Sequence, residues 1–200
     1  MLFEFIRKLT IPFNQIEKSV PNHGKILDVG CGHGILSRII AQNYPQTKVL
    51  GIDPSNYKIN IARLKSRNIP NLEYKCSYLK DIHGIFDCII ITDVLYLFSG
   101  EERIIILKGC YKLLKKGGLL IICEIDSKPS FMFWLSYLEE IIMVKIIKYT
   151  YSDMKKIFFL DTKSQLKNLK DVGFKVITHK NIQSILPYHR IMYISEKNYI

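Results

Sequence analysis

Residues 26–34 read Ile-Leu-Asp-Val-Gly-Cys-Gly-His-Gly. Asp28 lies in a short apolar run, and Gly30, Gly32 and Gly34 follow at a spacing of two. Glycine at that density serves backbone that bends through positive φ and lets a ligand come to contact distance. Helical spacing starts at once, with Ile35, Leu36, Ile39 and Ile40. A turn placed there leaves the first N–H groups of a helix without intrahelical partners. Nineteen residues beyond Gly34, at the end of the run Val49-Leu50-Gly51-Ile52, stands Asp53. A carboxylate in that position can accept both hydroxyls of a ribose, the layout of a nucleoside cofactor site in a strand–helix–strand unit.

The dinucleotide fingerprint G-x-G-x-x-G calls for a third glycine one residue later, next to a pyrophosphate. Position 35 is Ile, and a carboxylate at Asp28 opposes a phosphate while suiting a cationic amino-acid group. An acid followed by x-G-x-G-x-G before a helix, with a second acid ending the next strand, resembles the class I S-adenosylmethionine-dependent methyltransferases. The resemblance covers most of the chain. Residues 26–34 are similar to the first motif of that family and 51–55 (Gly-Ile-Asp-Pro-Ser) to its second. The stretch 86–98 (Phe-Asp-Cys-Ile-Ile-Ile-Thr-Asp-Val-Leu-Tyr-Leu-Phe) is similar to its fourth-strand motif. The stretch 113–122 (Leu-Leu-Lys-Lys-Gly-Gly-Leu-Leu-Ile-Ile) is similar to the segment entering its fifth strand.

The resemblance implies S-adenosyl-L-methionine as cofactor. Its methionine part falls to Asp28, Gly30, Cys31, Gly32 and Gly34, its ribose to Asp53, and its adenine side to Pro54 or Ser55. Where the family often has an acid or amide touching the adenine amine, this chain has Ser77, with Tyr78 beside it as a backbone or aromatic contact. Thr92 and Asp93, closing the fourth strand, complete the implied set, Asp93 facing cofactor or substrate.

Methyl transfer from a sulfonium is an in-line displacement whose electrophile belongs to the cofactor, so the protein supplies proximity, alignment and in some cases a base. Amino-methylating nucleic-acid enzymes of this fold carry Asn/Asp-Pro-Pro-aromatic after strand four. Residues 92–96 read Thr-Asp-Val-Leu-Tyr instead, a form more similar to small-molecule and lipid-type methyltransferases. Candidate bases are His33, Tyr96, Glu124, Tyr188 and His189. His33 sits inside the glycine turn, where its backbone matters most. Tyr96 either lines the pocket or packs a helix start. Glu124 closes an apolar strand at the sheet edge where open α/β sheets bind ligands. It serves either as a base with a raised pKa or as a carboxylate that caps a helix or anchors a loop. Residues 187–190 (Pro-Tyr-His-Arg) precede the last strand and project Tyr188 and His189 towards the cleft, His189 titrating nearest neutrality. Tyr96, Glu124 and His189 form the expected catalytic set. No metal is expected, since the five histidines are scattered and no acid pair has ligand spacing.

The elements that must hold these residues alternate. Strands are expected at 25–29, 48–52, 72–76, 86–92, from 117–118 to 125, from 174 to 178, and at 189–195. Helices are expected at 35–43, 57–67 and 101–114, with another ending at Gly173. Alternation with continuous apolar strands argues a parallel sheet covered on both faces. The expected fold is one α/β domain over 1–200, a Rossmann-like, doubly wound, seven-stranded, mostly parallel sheet with an antiparallel last strand. Residues 2–20 carry Phe5, Leu9, Phe13, Ile16 and Val20 at helical spacing, broken by Pro12, and form a cap of one or two helices over the cofactor cleft. Residues 127–160 read as a helical insertion near the substrate pocket. Within it, 131–148 is long enough and apolar enough to span a bilayer, but Glu139 and Glu140 lie at its centre. Three readings stay open: an amphipathic helix packed on the core, a lid over an apolar acceptor lined by Phe131, Trp134 and Tyr188, or an interfacial helix touching a membrane.

The 200 residues are 48% hydrophobic and 24% charged, as in ordinary globular proteins. Cys31, Cys76, Cys88, Cys110 and Cys123 include no C-x-x-C pair and read as reduced thiols of an intracellular protein. The first residues, Met-Leu-Phe-Glu-Phe-Ile-Arg-Lys, lack the order of a signal peptide, so a cytoplasmic location is expected. A net charge of +11 suits nucleic acid, anionic lipid or acidic substrates. The cations are mostly dispersed Lys, whereas base and phosphate readers favour Arg, which disfavours nucleic acid and favours the other reading of the charge, a Lys-rich, Ile-rich compositional bias. The sequence points to a methyltransferase acting on a small, apolar or lipid-like acceptor, with O-methylation one option. Its rivals are an RNA methyltransferase and a cofactor-binding partner subunit without activity.

Overall fold

Runs of Ile, Leu and Val flanked by turn residues become strands here. The computed structural model describes residues 2–126, 158–183, 185 and 190–198. Strands β1 (Gly24–Val29), β2 (Thr47–Asp53), β3 (Leu72–Cys76), β4 (Phe86–Thr92), β5 (Leu114–Ile125), β6 (Phe174–Ile182) and β7 (Arg190–Lys197) form one sheet. Its order is β3-β2-β1-β4-β5-β7-β6. Neighbours from β3 through β5 pair in parallel, and β7 runs antiparallel to both β5 and β6. This is the Rossmann-like arrangement with an antiparallel last strand that the alternation predicts. The order reverses between β1 and β4, and such a switch point opens a crevice at the carboxyl ends of the strands.

The helices are α1 (Leu2–Thr10), α2 (Phe13–Glu17), α3 (Ile35–Asn43), α4 (Asn56–Lys65), α5 (Gly100–Leu113) and α6 (Thr162–Val172). Three start on side-chain caps that satisfy otherwise orphaned N–H groups. Ser55 accepts from the Lys58 N–H, Asp161 from the Ser164 N–H, and Ser99 forms a capping box with Glu102. Alternate residues of β4 serve opposite faces. Ile89 and Ile91 pack with Leu107 of α5 and Leu169 of α6, while Ile90 packs with Ile16 of α2 and Ile40 of α3. Each such side chain contributes about 1.5–3 kcal/mol when buried.

Boundaries differ from the sequence reading where turns intervene. The helix expected at 57–67 runs Asn56–Lys65, and Ser66 turns its hydroxyl onto the Ala62 carbonyl (2.8 Å). β5 starts at Leu114, ahead of the glycine pair, because the strand bulges between its Phe86–Leu114 and Cys88–Leu119 pairings, with Gly117 at φ +72°. β6 continues past residue 178 to Ile182 because β7 pairs with it down to Arg190. Pro12 divides residues 2–20 into α1 and α2. All five cysteines are free thiols, and burial pushes those of Cys110 and Cys123 up to about 12. Among the described residues no helix is long and apolar enough to cross a membrane. Phe131, Trp134 and the rest of 127–157, with Tyr188 and His189, lie outside the described residues.

Candidate active site

The crevice at the switch point is floored by the turn that follows β1. Gly30, Gly32 and Gly34 all have positive φ (+74°, +54° and +70°). At Gly30 the reason is packing: a Cβ there would lie 2.3 Å from Cγ2 of Val94, which follows β4. At Gly32 the reason is access, since a Cβ would meet nothing within 4 Å. The N–H groups of the turn itself, ahead of the helix start at Ile35, are bonded within the chain. Gly30 and Cys31 both donate to the Ile52 carbonyl (2.8 and 2.9 Å), Gly34 donates to the Cys31 carbonyl (2.9 Å), and Gly32 donates to Asp53 Oδ2 (3.1 Å). Those four amides hold the turn against β2 and close it on itself, so what the turn offers a ligand is close approach at Gly32.

Two acids flank it. Asp28 is buried and accepts from the Ser37 hydroxyl at 2.5 Å. Burial pushes its carboxyl up to about 6, and the nearby charge of Asp53 adds to the rise. No cation among the described residues forms an ion pair with it. Asp53, at the end of β2, accepts from the Ser55 N–H at Oδ1 (2.9 Å) and from Gly32 at Oδ2. An ionised carboxylate has about four lone-pair sites, so each oxygen keeps one for a ribose hydroxyl. A buried carboxylate without a cation, an open glycine face and a ribose-ready acid fit a nucleoside that bears a positively charged amino-acid tail.

The remaining expected cofactor residues line the same edge. Cys31 is half-buried, and burial raises its thiol well above the usual range. Pro54 is half-buried, its carbonyl taking the Cys76 thiol at 3.4 Å. Ser77 donates its N–H to the Asp53 carbonyl and turns its hydroxyl onto the Tyr78 carbonyl, both at 3.2 Å. Tyr78 is 57% exposed at the rim. Thr92 brings a buried hydroxyl oxygen that has no hydrogen-bond partner among the described residues.

Asp93 is the one described non-glycine residue at positive φ (+54°), with its N–H on the Cys123 carbonyl at 3.0 Å. Its carboxylate is committed to arginines: it pairs with Arg190 at Oδ1, and Arg7 lies 3.3 Å from Oδ2. Arg7 comes from α1, and Arg190 also donates from Nε to the Thr10 carbonyl (2.8 Å). One turn earlier on α1, Glu4 pairs with Arg38 of α3 and Lys65 of α4, both at 2.8 Å. Arg38 in turn holds the His33 carbonyl in the glycine turn (2.7 Å). These contacts tie α1 to both rims of the crevice. The His33 ring is depressed to about 4, first by burial and then by the surrounding Lys58 and Lys65.

On the far side, the 3₁₀ turn Leu95–Leu97 buries Tyr96, whose ring packs on Phe159 with centroids 5.1 Å apart. Glu124 is buried near the end of β5 and accepts from the Leu95 N–H at 2.5 Å. Burial pushes it up to about 7 against the opposing pull of Arg103. The geometry supports its loop-anchoring role. Sequence reasoning missed Arg103, Arg190, Glu4 and Arg7. Arg103 left a signal: it stands in the apolar stripe with Leu107, Cys110 and Leu114. Arg190 and Glu4 left none, because their partners are distant in sequence. Among the described residues no three His, Cys, Asp or Glu side chains group as metal ligands.

Comparison with known proteins agrees with this geometry. Residues 26–118 match the model of a methyltransferase domain. The chain is 27% identical over 158 residues to the ubiquinone biosynthesis O-methyltransferase of Acinetobacter baylyi, covering 76% of this chain and 63% of that protein. It is 30% identical to the same-named protein of Neisseria meningitidis, covering 66% and 56%. The matched stretch thus spans less than two thirds of either relative. Magnesium protoporphyrin IX methyltransferase from Synechocystis, crystallised with S-adenosylhomocysteine, has the same fold (TM-score 0.68, 20% identity, 93% of this chain and 78% of that one). So does an S-adenosylmethionine-dependent methyltransferase from Methanosarcina mazei (TM-score 0.69, 19% identity, 94% and 98%). The glycine turn between two acids and the sheet order meet on the residues that match a methyltransferase domain, and the chain has the fold of S-adenosylmethionine-dependent methyltransferases.

Proposed function

We propose that this chain transfers a methyl group from S-adenosylmethionine to a small apolar, lipid-like acceptor, with a hydroxyl oxygen as the receiving atom. The observation that carries the reading is Asp28, a buried carboxylate without an ion-pair partner among the described residues, beside the open face of Gly32. When bound, the cofactor supplies an electrophilic methyl group on a sulfonium. The chain's part is to bind and align. Asp28 balances the cationic tail, Asp53 takes the ribose hydroxyls, and the buried turn after β4 keeps water from the reacting side. The acceptor class is supported by relatives whose names give O-methylation in ubiquinone biosynthesis. A net charge of +11 also suits contact with an anionic membrane that stores such an acceptor.

The test is transfer of labelled methyl from S-adenosylmethionine into three acceptors offered separately: a cellular lipid extract, an alkylated catechol and total RNA. Label is expected in the lipid extract and as the catechol methyl ether. Label confined to RNA would overturn the acceptor class. Cofactor binding with no label in any fraction would turn the reading towards a partner subunit.

A further inference from the structure

Helix α5 carries a charge inside its apolar stripe. Arg103 is 1% exposed, as deeply buried as Leu107 and Cys110 along the same helix. Burying a guanidinium is costly unless its donors find partners. Its Nη2 donates to the Leu95 carbonyl (2.9 Å) and to the Phe158 carbonyl (2.7 Å), and Nη1 reaches Gln165 Oε1 at 3.5 Å. Glu124 accepts the Leu95 N–H. The two ends of one residue, Leu95, are therefore held by opposite charges from two elements. Phe158 is held twice as well, its carbonyl by Arg103 and its N–H by the Tyr96 carbonyl (2.8 Å). Val94, next to Leu95, is the residue that fills the space beside Gly30. One contiguous path of contacts runs from Arg103 through Leu95 and Val94 to the cofactor turn.

We propose that Arg103, acting with Glu124, is a positioning residue of the cofactor site: the pair fixes residues 93–97 against Gly30 and so sets the shape of the turn that receives the cofactor. Apolar side chains of similar volume stabilise a core at least as well as a buried ion pair, and α5 uses them at its other buried positions. The charge at Arg103 orders two carbonyls that no apolar side chain can hold. This proposal rests on the reading that the glycine turn takes S-adenosylmethionine.

The experiment measures S-adenosylhomocysteine affinity by calorimetry for the wild-type chain, Arg103→Met, Arg103→Lys and the control Leu169→Val, together with thermal unfolding and amide exchange at Leu95 and Phe158. Arg103→Met is expected to bind about 2- to 30-fold more weakly, the span that coupling through such a path commonly covers, and to exchange faster at both amides. Arg103→Lys keeps a charged donor and recovers most of the affinity. Leu169→Val, a core change on α6, lowers the unfolding temperature and leaves affinity unchanged. Wild-type affinity in a folded Arg103→Met overturns the proposal, as does an equal loss in Leu169→Val. Should Arg103→Met not fold, Glu124→Gln decides: it keeps an acceptor for Leu95 but removes the opposing charge. Weakened binding supports the proposal and wild-type binding overturns it. A wild-type chain that fails to bind S-adenosylhomocysteine overturns the cofactor reading itself, and this proposal with it.

Discussion

Asp28 shows how much a single burial changes. Its ordinary carboxylate, read from sequence as a partner for a cation, sits in the folded chain at about 6 because burial penalises its charge and Asp53 repels it. The sign follows from linkage. A folded pKa above the unfolded value of 3.8 means the folded chain holds the proton more tightly. That contribution to stability is full below the unfolded value and is lost as pH rises through about 6. A bound ammonium group favours the ionised form, so ligand affinity has the opposite trend. S-adenosylhomocysteine affinity is expected to fall as pH drops below about 6, approaching tenfold per pH unit, with protons released on binding. Asp28→Asn should flatten that limb. Calorimetry in buffers of different ionisation enthalpy reads both effects, and an unchanged pH profile in Asp28→Asn would remove Asp28 from the cation's site. The spacing of Asp28, Gly32 and Asp53 was legible because it is local. The Ser37 bond to Asp28 was not, because a helix had to fold back over the turn to make it.

At the scale of elements, the starts expected at 35, 57 and 101 fall within one residue of those found, while α6 was read only by its end. Ser99 and Glu102 close a capping box that starts α5 and thereby sets where Arg103 falls. Replacing Ser99 by Ala removes one bond to an orphaned N–H, a loss of about 0.5–2 kcal/mol. Urea denaturation should show a lower midpoint at unchanged slope. An unmoved midpoint would mean that tertiary packing alone holds that end of the helix. The helix ends were misjudged where the stop is a side chain rather than glycine, as at Ser66, whose hydroxyl returns to the Ala62 carbonyl. Gly173, with φ +107° and its N–H on the Lys170 carbonyl, was read correctly because only glycine takes that conformation freely.

For the whole molecule, a ligand that binds the folded chain alone stabilises it by mass action, about 2.7 kcal/mol at a hundredfold excess over Kd. At about 2–4 °C per kcal/mol for a chain of this size, S-adenosylhomocysteine should raise the unfolding temperature by about 5–11 °C. NADH should leave it in place, since Asp28 opposes a pyrophosphate, and a comparable shift with NADH would overturn the assignment of the turn. The sequence by itself determined the order of strands and helices, the two-faced burial of the sheet and the acids about the glycine turn. Each is written in periodicities of two and three to four residues or in a contiguous motif. Only the tertiary structure decided which charges meet. Arg190 reaches Thr10 and Asp93, Glu4 reaches Arg38 and Lys65, and Arg103 reaches Leu95 and Phe158. Most of those partners lie tens of residues apart, and no local pattern records them. They are set by where the sheet order brings the carboxyl ends of β1, β4 and β5 together with the first residue of β7, and by the need of a buried charge for a partner wherever the chain can supply one.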